Sequence, residues 1–298
     1  MYRRCLARRP RRRIGTTGGG VTQYWYGAFG LPWVVADAHR NVTRMAHDGY
    51  GRRHLLVDPD VGTQRLDYNA FGELLKSTDD AGRLVELDHD RLGRPTERRD
   101  TAARADSATV TSWTWDTAPG AGIGMLASST SPDGQSASVT FDALGRMNSR
   151  ILTRRANRVD EALRFTMSHD HVGRLLDLGY PERPGRRSFV VRHRHDPSGL
   201  LASVRDVSTS AEGPILWRAV DYDGFGRLTA ERFLNGARTT RVYDPETTRL
   251  RSITTRLGLE PPLQQLSYEW DPNGNLHRRA DVLRTDGREE MVYDSLNR

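Results

Sequence analysis

Internal repetition constrains this chain more than any other feature. One motif recurs: an aromatic residue or His, then Asp, two variable residues, Gly, Arg and an aliphatic residue. Good copies are His47-Asp48-Gly49-Tyr50-Gly51-Arg52, Tyr68-Asn69-Ala70-Phe71-Gly72, His89-Asp90-Arg91-Leu92-Gly93-Arg94 and Phe141-Asp142-Ala143-Leu144-Gly145-Arg146. His169-Asp170 to Gly173-Arg174, Tyr222-Asp223 to Gly226-Arg227 and Trp270-Asp271 to Gly274-Asn275 follow the same pattern. Weaker copies start at Tyr26, His195, Tyr243 and Tyr293; the His195 copy places Asp196 and Gly199 in the Asp and Gly slots. Starts at 26, 47, 68 and 89 are 21 residues apart. Half-step copies lie between them: Ala36-Asp37 with Arg40 in the Gly slot, Val57-Asp58 with Gly62, and Thr78-Asp79 with Gly82 and Arg83. Later spacings stretch to 26–28, as insertions between constant units would produce. The longest interval, 89 to 141, holds the Gly-rich, turn-forming stretch Trp115 to Gly124. A fixed period over most of a chain is the mark of a repeat architecture.

A turn every 10–11 residues leaves strands of about six or seven residues, a normal strand length. The segments between turns alternate as strands do, in Thr239–Tyr243, Ser188–His193 and partly Ser138–Phe141. Residues 158–167 are the one weak helix candidate, and they are set aside. The motif reads as hairpin chemistry. Asp accepts backbone N–H groups in an Asx turn, and Gly takes the left-handed conformation that closes a type I turn with a bulge. The turn set is Asp48/Gly51, Asp79/Gly82, Asp90/Gly93, Asp142/Gly145, Asp170/Gly173, Asp196/Gly199, Asp223/Gly226 and Asp271/Gly274. The Arg after the Gly is expected to face solvent or to pair with an acid on a neighbouring strand. The aromatic slot (Tyr26, Tyr68, Phe141, Tyr222, Tyr243, Trp270, Tyr293) is expected to form a stacked ladder along the sheet.

At this point the motif is similar to the tyrosine-aspartate (YD) repeat of the Rhs family, over roughly Tyr24 to Arg298. Tyr26-Gly27-Ala28-Phe29-Gly30-Leu31-Pro32 and Trp115 to Gly124 also resemble repeat segments of insecticidal toxin-complex and related Rhs proteins. The resemblance implies an all-β fold of antiparallel hairpin repeats, a β-ribbon that spirals into a hollow shell. In the family the shell commonly encloses a C-terminal polymorphic toxin, and related repeats occur in extracellular adhesion proteins. The chain departs from the pattern by stopping inside a motif, at Tyr293 to Arg298, with Asn297 in the Gly slot. The family's core, self-cleavage segment and toxin lie beyond such a point, so the scaffold transfers and the toxin activity does not. About 25 strands spaced 4.8 Å apart give a ribbon of roughly 120 Å, which closed once is a ring about 38 Å across. Such a piece is expected to be an incomplete shell with unpaired edges.

Charge supplies less than it first offers. Lys plus Arg total 45 against 38 acids, but residues 1–13 hold seven Arg and no acid. Residues 14–298 therefore balance to zero, which excludes a protein built throughout as a polycation. Lys76 is the single lysine, and nearly all the positive charge is Arg. Cys5 is the single cysteine, so the body has no disulfide and no Cys-ligated metal. No apolar run reaches a membrane span, and no apolar stretch follows the Arg pairs as a signal peptide requires. Residues 1–20 are expected to be a disordered Arg/Gly-rich arm, with residues 15–20 as connector, and residues 21–298 a single repeat array.

Each group that could carry chemistry also has a simpler structural role. His169/His171 and His193/His195 have the i, i+2 spacing of a metal-binding strand, but 169 and 195 are repeat positions and 171 is in a turn. Most Asp residues occupy the turn slot, so no acid/base pair stands out. Asn41-Val42-Thr43 is a sequon inside a repeat turn. The Arg arm is expected to give only salt-dependent, sequence-independent adhesion to anions. The expectation is a non-enzymatic scaffold with no catalytic residue, metal or cofactor. Its expected partners are flanking Rhs repeats or core, or a toxin domain, with a secretion-system component or target-cell glycans as further candidates. The resemblance implies a secreted or cell-surface location reached from the cytoplasm by specialised export. The alternative is an extracellular module that binds carbohydrate or another cell.

Overall fold

The computed structural model describes residues 12–15, 21–105, 107–156, 159–182, 188–294 and 296. Among the described residues, apart from a 3₁₀ turn at Ala28–Gly30, every regular element is a β-strand. In chain order the first ten are β1 (Arg12–Gly15), β2 (Val21–Tyr26), β3 (Pro32–Ala36), β4 (Val42–His47), β5 (Arg53–Asp58), β6 (Gly62–Tyr68), β7 (Leu74–Asp79), β8 (Leu84–His89), β9 (Pro95–Thr101) and β10 (Thr109–Trp115). Next come β11 (Leu126–Thr130), β12 (Ser136–Phe141), β13 (Met147–Ala156), β14 (Val159–His169), β15 (Leu175–Gly179), β16 (Val190–His195) and β17 (Leu201–Asp206). The last are β18 (Ile215–Tyr222), β19 (Leu228–Phe233), β20 (Ala237–Tyr243), β21 (Leu250–Leu257), β22 (Gln264–Trp270), β23 (Leu276–Asp281) and β24 (Arg288–Glu290).

The described residues divide into two compact units. Of the described residues, those within 1–114, 129–133 and 293–298 form the first, and those within 115–128 and 134–292 the second. In the first, β1 to β10 form an antiparallel meander in which each strand pairs with the next, from Ile14↔Thr22 to Thr109↔Asp100. In the second, β12 to β24 do the same, from Ser136↔Thr153 to Arg279↔Glu289. Strand β1 lies inside the arm expected to be disordered, because its backbone completes the pairing of β2 through Arg12↔Tyr24 and Gly15↔Val21. The rest of that arm, including Cys5, lies outside the described residues. Residues 159–167 belong to β14, so the set-aside helix candidate is a strand; residue 158 lies outside the described residues.

Substantial strand-to-strand packing joins only strands consecutive in the chain. Among the described residues, each unit is therefore a single sheet layer. Burial follows from that. Among the described residues no side chain is fully buried, and the buried apolar set is Leu66, Ala118, Ala127, Phe141, Val191, Ala230 and Ala237. A buried apolar cluster is formed by Ala118, Ala127 and Phe141, with Val139 and Met147 against it. It forms because the Gly-rich loop after β10 folds over the β12–β13 turn. Phe141 N donates to Pro119 O at 2.9 Å, and the loop is pinned by Asp116 N to Met125 O at 3.0 Å.

Candidate functional site

The repeated turn is the most regular construction in the molecule, and its chemistry begins with one carboxylate. In the β4–β5 turn, Asp48 Oδ1 accepts the N–H groups of Tyr50 and Arg52, each at 2.9 Å, while Oδ2 accepts Arg52 Nε at 2.7 Å. The backbone closes the same turn through Gly51 N to Asp48 O and Asp48 N to Arg52 O. Gly51, Gly82, Gly93, Gly145, Gly173, Gly199, Gly226 and Gly274 have φ between 74° and 95°. Arg40 takes the same region at φ 66° in the half-step turn of Asp37, and Thr248 does so at 61° in the longer turn of Asp244. A register shift of the bulge kind falls at each aromatic slot that pairs across such a turn, for example at Ala46/His47, Asp67/Tyr68 and Val242/Tyr243. Asp, Arg and Gly thus act as one unit: a bulge, a left-handed residue and an ion pair inside five residues.

The Arg after the Gly does not do what the sequence suggested. It pairs with the Asp of its own turn, not with an acid on a neighbouring strand. Arg94–Asp90, Arg146–Asp142, Arg174–Asp170 and Arg227–Asp223 all close at 2.6–2.7 Å. Where Arg is missing, a shorter group substitutes: Asn275 Nδ2 donates to Asp271 Oδ2 at 2.8 Å, and Ser198 Oγ to Asp196 Oδ1 at 2.6 Å. The other end of the guanidinium reaches the next turn along the same edge. Arg52 Nη1 donates to Asn69 O at 2.7 Å, Arg146 to Asp170 O at 3.1 Å, Arg227 to Thr248 O at 2.5 Å and Arg249 to Asp271 O at 3.0 Å.

The aromatic slot completes this tether, and the expected ring-on-ring ladder is replaced by an interleaved one. Same-edge slots are two strands apart, about 9.6 Å, too far for rings to touch. The Arg guanidinium fills the gap, lying 5.1 Å from the Tyr68 ring centre for Arg52 and 4.3 Å from that of Tyr243 for Arg227. The polar tip of the slot residue then points back. Tyr68 Oη donates to Arg53 O at 2.9 Å, Tyr222 Oη to Leu201 O at 2.6 Å and Trp270 Nε1 to Leu250 O at 2.8 Å. Tyr26, Tyr68, Tyr222, Tyr243 and Tyr293 are half-buried, Phe141 is buried, and Trp270 sits at the margin of exposure.

Electrostatics match the geometry. Desolvation pushes the Asp170 carboxyl up, but the Arg174 side chain and the N–H groups of Arg174 and Val172 hold it at about 2. Asp142 lies below its ordinary 3.8, held first by the Arg146 side chain and then by its backbone N–H. Asp48, Asp79, Asp90, Asp196, Asp223, Asp244 and Asp271 are lowered too. These are carboxylates committed to structure. Of the sequon, Asn41 Nδ2 donates to Asp37 Oδ2 at 2.8 Å and Thr43 Oγ1 to Asp58 Oδ2 at 2.7 Å.

Two features were missed in the sequence. First, the residue before the turn Gly is an exposed apolar one along a single edge of each unit: Phe29, Tyr50, Phe71 and Leu92 in the first, Leu144, Val172 and Phe225 in the second. The motif formula hid this because it called that position variable. Second, the faces differ. In the first unit Met45, Leu56, Leu66, Leu75, Val85 and Leu87 share one face by register, and Asp67, Lys76, Glu86 and Arg99 the other. The second unit places Leu152, Leu163, Met167, Leu178, Val191 and Trp217 on one face.

Comparison with known proteins accords with this construction. Residues 68–105 match the family model described as RHS Repeat. No curated protein sequence matches the chain. Among solved structures, the Tc holotoxin pore of Photorhabdus luminescens, in a form carrying a TccC3 mutation, superposes with a TM-score of 0.72 at 16% identity over 96% of this chain and 15% of that one. The TcdB2-TccC3 crystal structure gives 0.72 at 17% identity, over 95% of this chain and 16% of that one. TcdB2-TccC3 without its hypervariable C-terminal region gives 0.71 at 16%, over 95% and 15%. This chain spans about a sixth of each, and at such identity the likeness establishes a shared fold.

Proposed function

We propose that this chain, with its RHS repeat and the fold of the Tc structures, is a non-enzymatic wall segment of an Rhs-type β-shell that encloses a toxin polypeptide. The observation that carries the reading is the single-layer meander whose neighbouring same-edge turns are tied by Arg. Such a sheet buries few side chains, and its turn carboxylates are occupied by the Arg, Ser, Asn and N–H groups that hold the turns. It suits a surface that separates two compartments. Flanking Rhs repeats or core, and an enclosed toxin domain, are the partners this role requires, and export from the cell is its consequence.

The test has two parts. Sedimentation velocity on purified residues 21–298 is expected to show concentration-dependent association, because two strand edges and an apolar rim need cover. A monomer that unfolds in one cooperative step would count against an incomplete shell. Sequencing the DNA beside this gene is expected to reveal a frame carrying Rhs core and a variable toxin end. A wall anchor or adhesion domain there would favour a cell-surface role instead.

A further inference from the structure

We infer that four arginines in cross-strand register on the second unit form a docking row for an acidic stretch of polypeptide. Register aligns them directly: Arg218 on β18 opposes Arg232 on β19, which opposes Arg238 on β20, which opposes Arg256 on β21. Directly opposed residues share a face, and strands lie about 4.8 Å apart, so the row runs roughly 14 Å across the sheet. All four side chains are exposed. Among the described residues none of the four has an acid within ion-pair distance.

Elsewhere on this sheet several arginines do meet acids across neighbouring strands. Arg192 meets Asp177, Arg278 meets Glu269 and Arg279 meets Glu289 across neighbouring strands. The opposite face of the same four strands is satisfied internally, with Glu231 accepting from Trp217 Nε1 at 2.6 Å and Arg241 Nη2 at 2.5 Å, and Thr239 bonded to Thr255 at 2.9 Å. Like charges set directly opposite destabilise a sheet. A row of three such oppositions is sustained most simply by something that neutralises it from outside.

The chemistry of the occupant follows from the row and its border. Guanidinium forks bind carboxylates and phosphates in paired hydrogen bonds. The turns that end these strands add apolar groups, with Leu234 59% and Leu259 105% exposed. A ligand that offers carboxylates along a line and apolar side chains beside them is a polypeptide. Nucleic acid offers no such apolar border, and the body outside the arm has no net positive field to draw it. The row stands on its own geometry; naming a polypeptide as occupant rests also on the shell reading, in which the wall faces an enclosed chain.

The experiment titrates labelled poly-L-glutamate with the full chain at near-physiological salt, reading fluorescence anisotropy. Arg232→Glu is expected to weaken binding about tenfold, since it removes one fork and repels the ligand. The same variant should melt at an equal or higher temperature, because its carboxylate sits between Arg218 and Arg238, so lost binding is not lost folding. Arg104→Glu, an equal charge change in an exposed turn of the first unit, should alter binding less than twofold, with the Arg-rich arm common to all three proteins. Equal losses in both variants would reduce the row to net charge and overturn the inference. So would tighter binding of polyphosphate or of phosphatidylserine vesicles than of polyglutamate. The association and DNA tests above bear on the shell reading separately, so either conclusion can fail alone.

Discussion

At the scale of single residues, the turn glycine and turn aspartate carry most of the information. Gly226 sits at φ 76° with Leu200 Cδ2 3.6 Å from where a Cβ would be. Space is therefore adequate and the backbone is the obstacle. Gly226→Val is expected to cost more than about 1 kcal/mol in urea unfolding, because a β-branched residue is strained in the left-handed region. An unchanged midpoint would mean the turn tolerates another conformation. The aspartates make a pH prediction whose sign is fixed by their lowered pKa values. A carboxyl lower in the folded than in the unfolded state contributes stability that is complete above its ordinary 3.8 and is lost as pH falls through the folded value, about 2 for Asp170. The urea midpoint should hold steady down to about pH 4 and then drop steeply towards pH 2. Asp170→Asn should flatten part of that drop, which circular dichroism at a series of pH values would read.

Between residues and the whole lies the hairpin, where neighbouring turns become dependent on one another. Tyr222→Phe deletes only the hydroxyl that reaches Leu201 O, so it isolates one link between same-edge turns. It is expected to cost about 0.5–1.5 kcal/mol, the usual worth of one hydrogen bond, measured by urea unfolding with tryptophan fluorescence. The loop after β10 offers a sharper case. A Cβ on Gly120 would lie 1.8 Å from Phe141 O, on backbone that cannot step aside. Gly120→Ala should therefore loosen the Ala118–Ala127–Phe141 cluster, with a loss of about 1–3 kcal/mol. The turns were legible beforehand because Asp and Gly punctuate the chain at fixed offsets, and Gly or Asp has few other uses there. The Arg–aromatic interleaving was not legible, since it depends on a separation of two strands that no single motif displays. The arginine row was harder still. It needs correct register across four strands, including a bulge after Ala219 that a count of residues does not reveal.

At the scale of the whole molecule, single-layer construction sets how stability is distributed. Each strand draws on the two beside it, as in repeat proteins whose stability is a sum of local and nearest-neighbour terms. Unfolding in urea is expected to be broad, with tryptophan fluorescence and far-ultraviolet circular dichroism giving midpoints that differ. One sharp coincident transition in both would contradict that picture. The apolar rim belongs to this scale as well. Phe29, Tyr50, Phe71 and Leu92 recur on alternate hairpins, so they form a periodic strip whose members are individually unremarkable.

The tethers from Arg52, Arg146, Arg227 and Arg249 to the turns that follow them have a mechanical meaning. Load applied at the chain ends would meet the ladder one hairpin at a time, and at those four turns a step would also have to free a guanidinium from a carbonyl before the next came under strain. Over the stretch with the 21-residue period, each repeat that opens would release about 70 Å of extended chain. A pulled molecule should then lengthen in small, nearly equal increments at modest force. The behaviour is that of a zip fastener, which resists shear along its length and opens readily from an end.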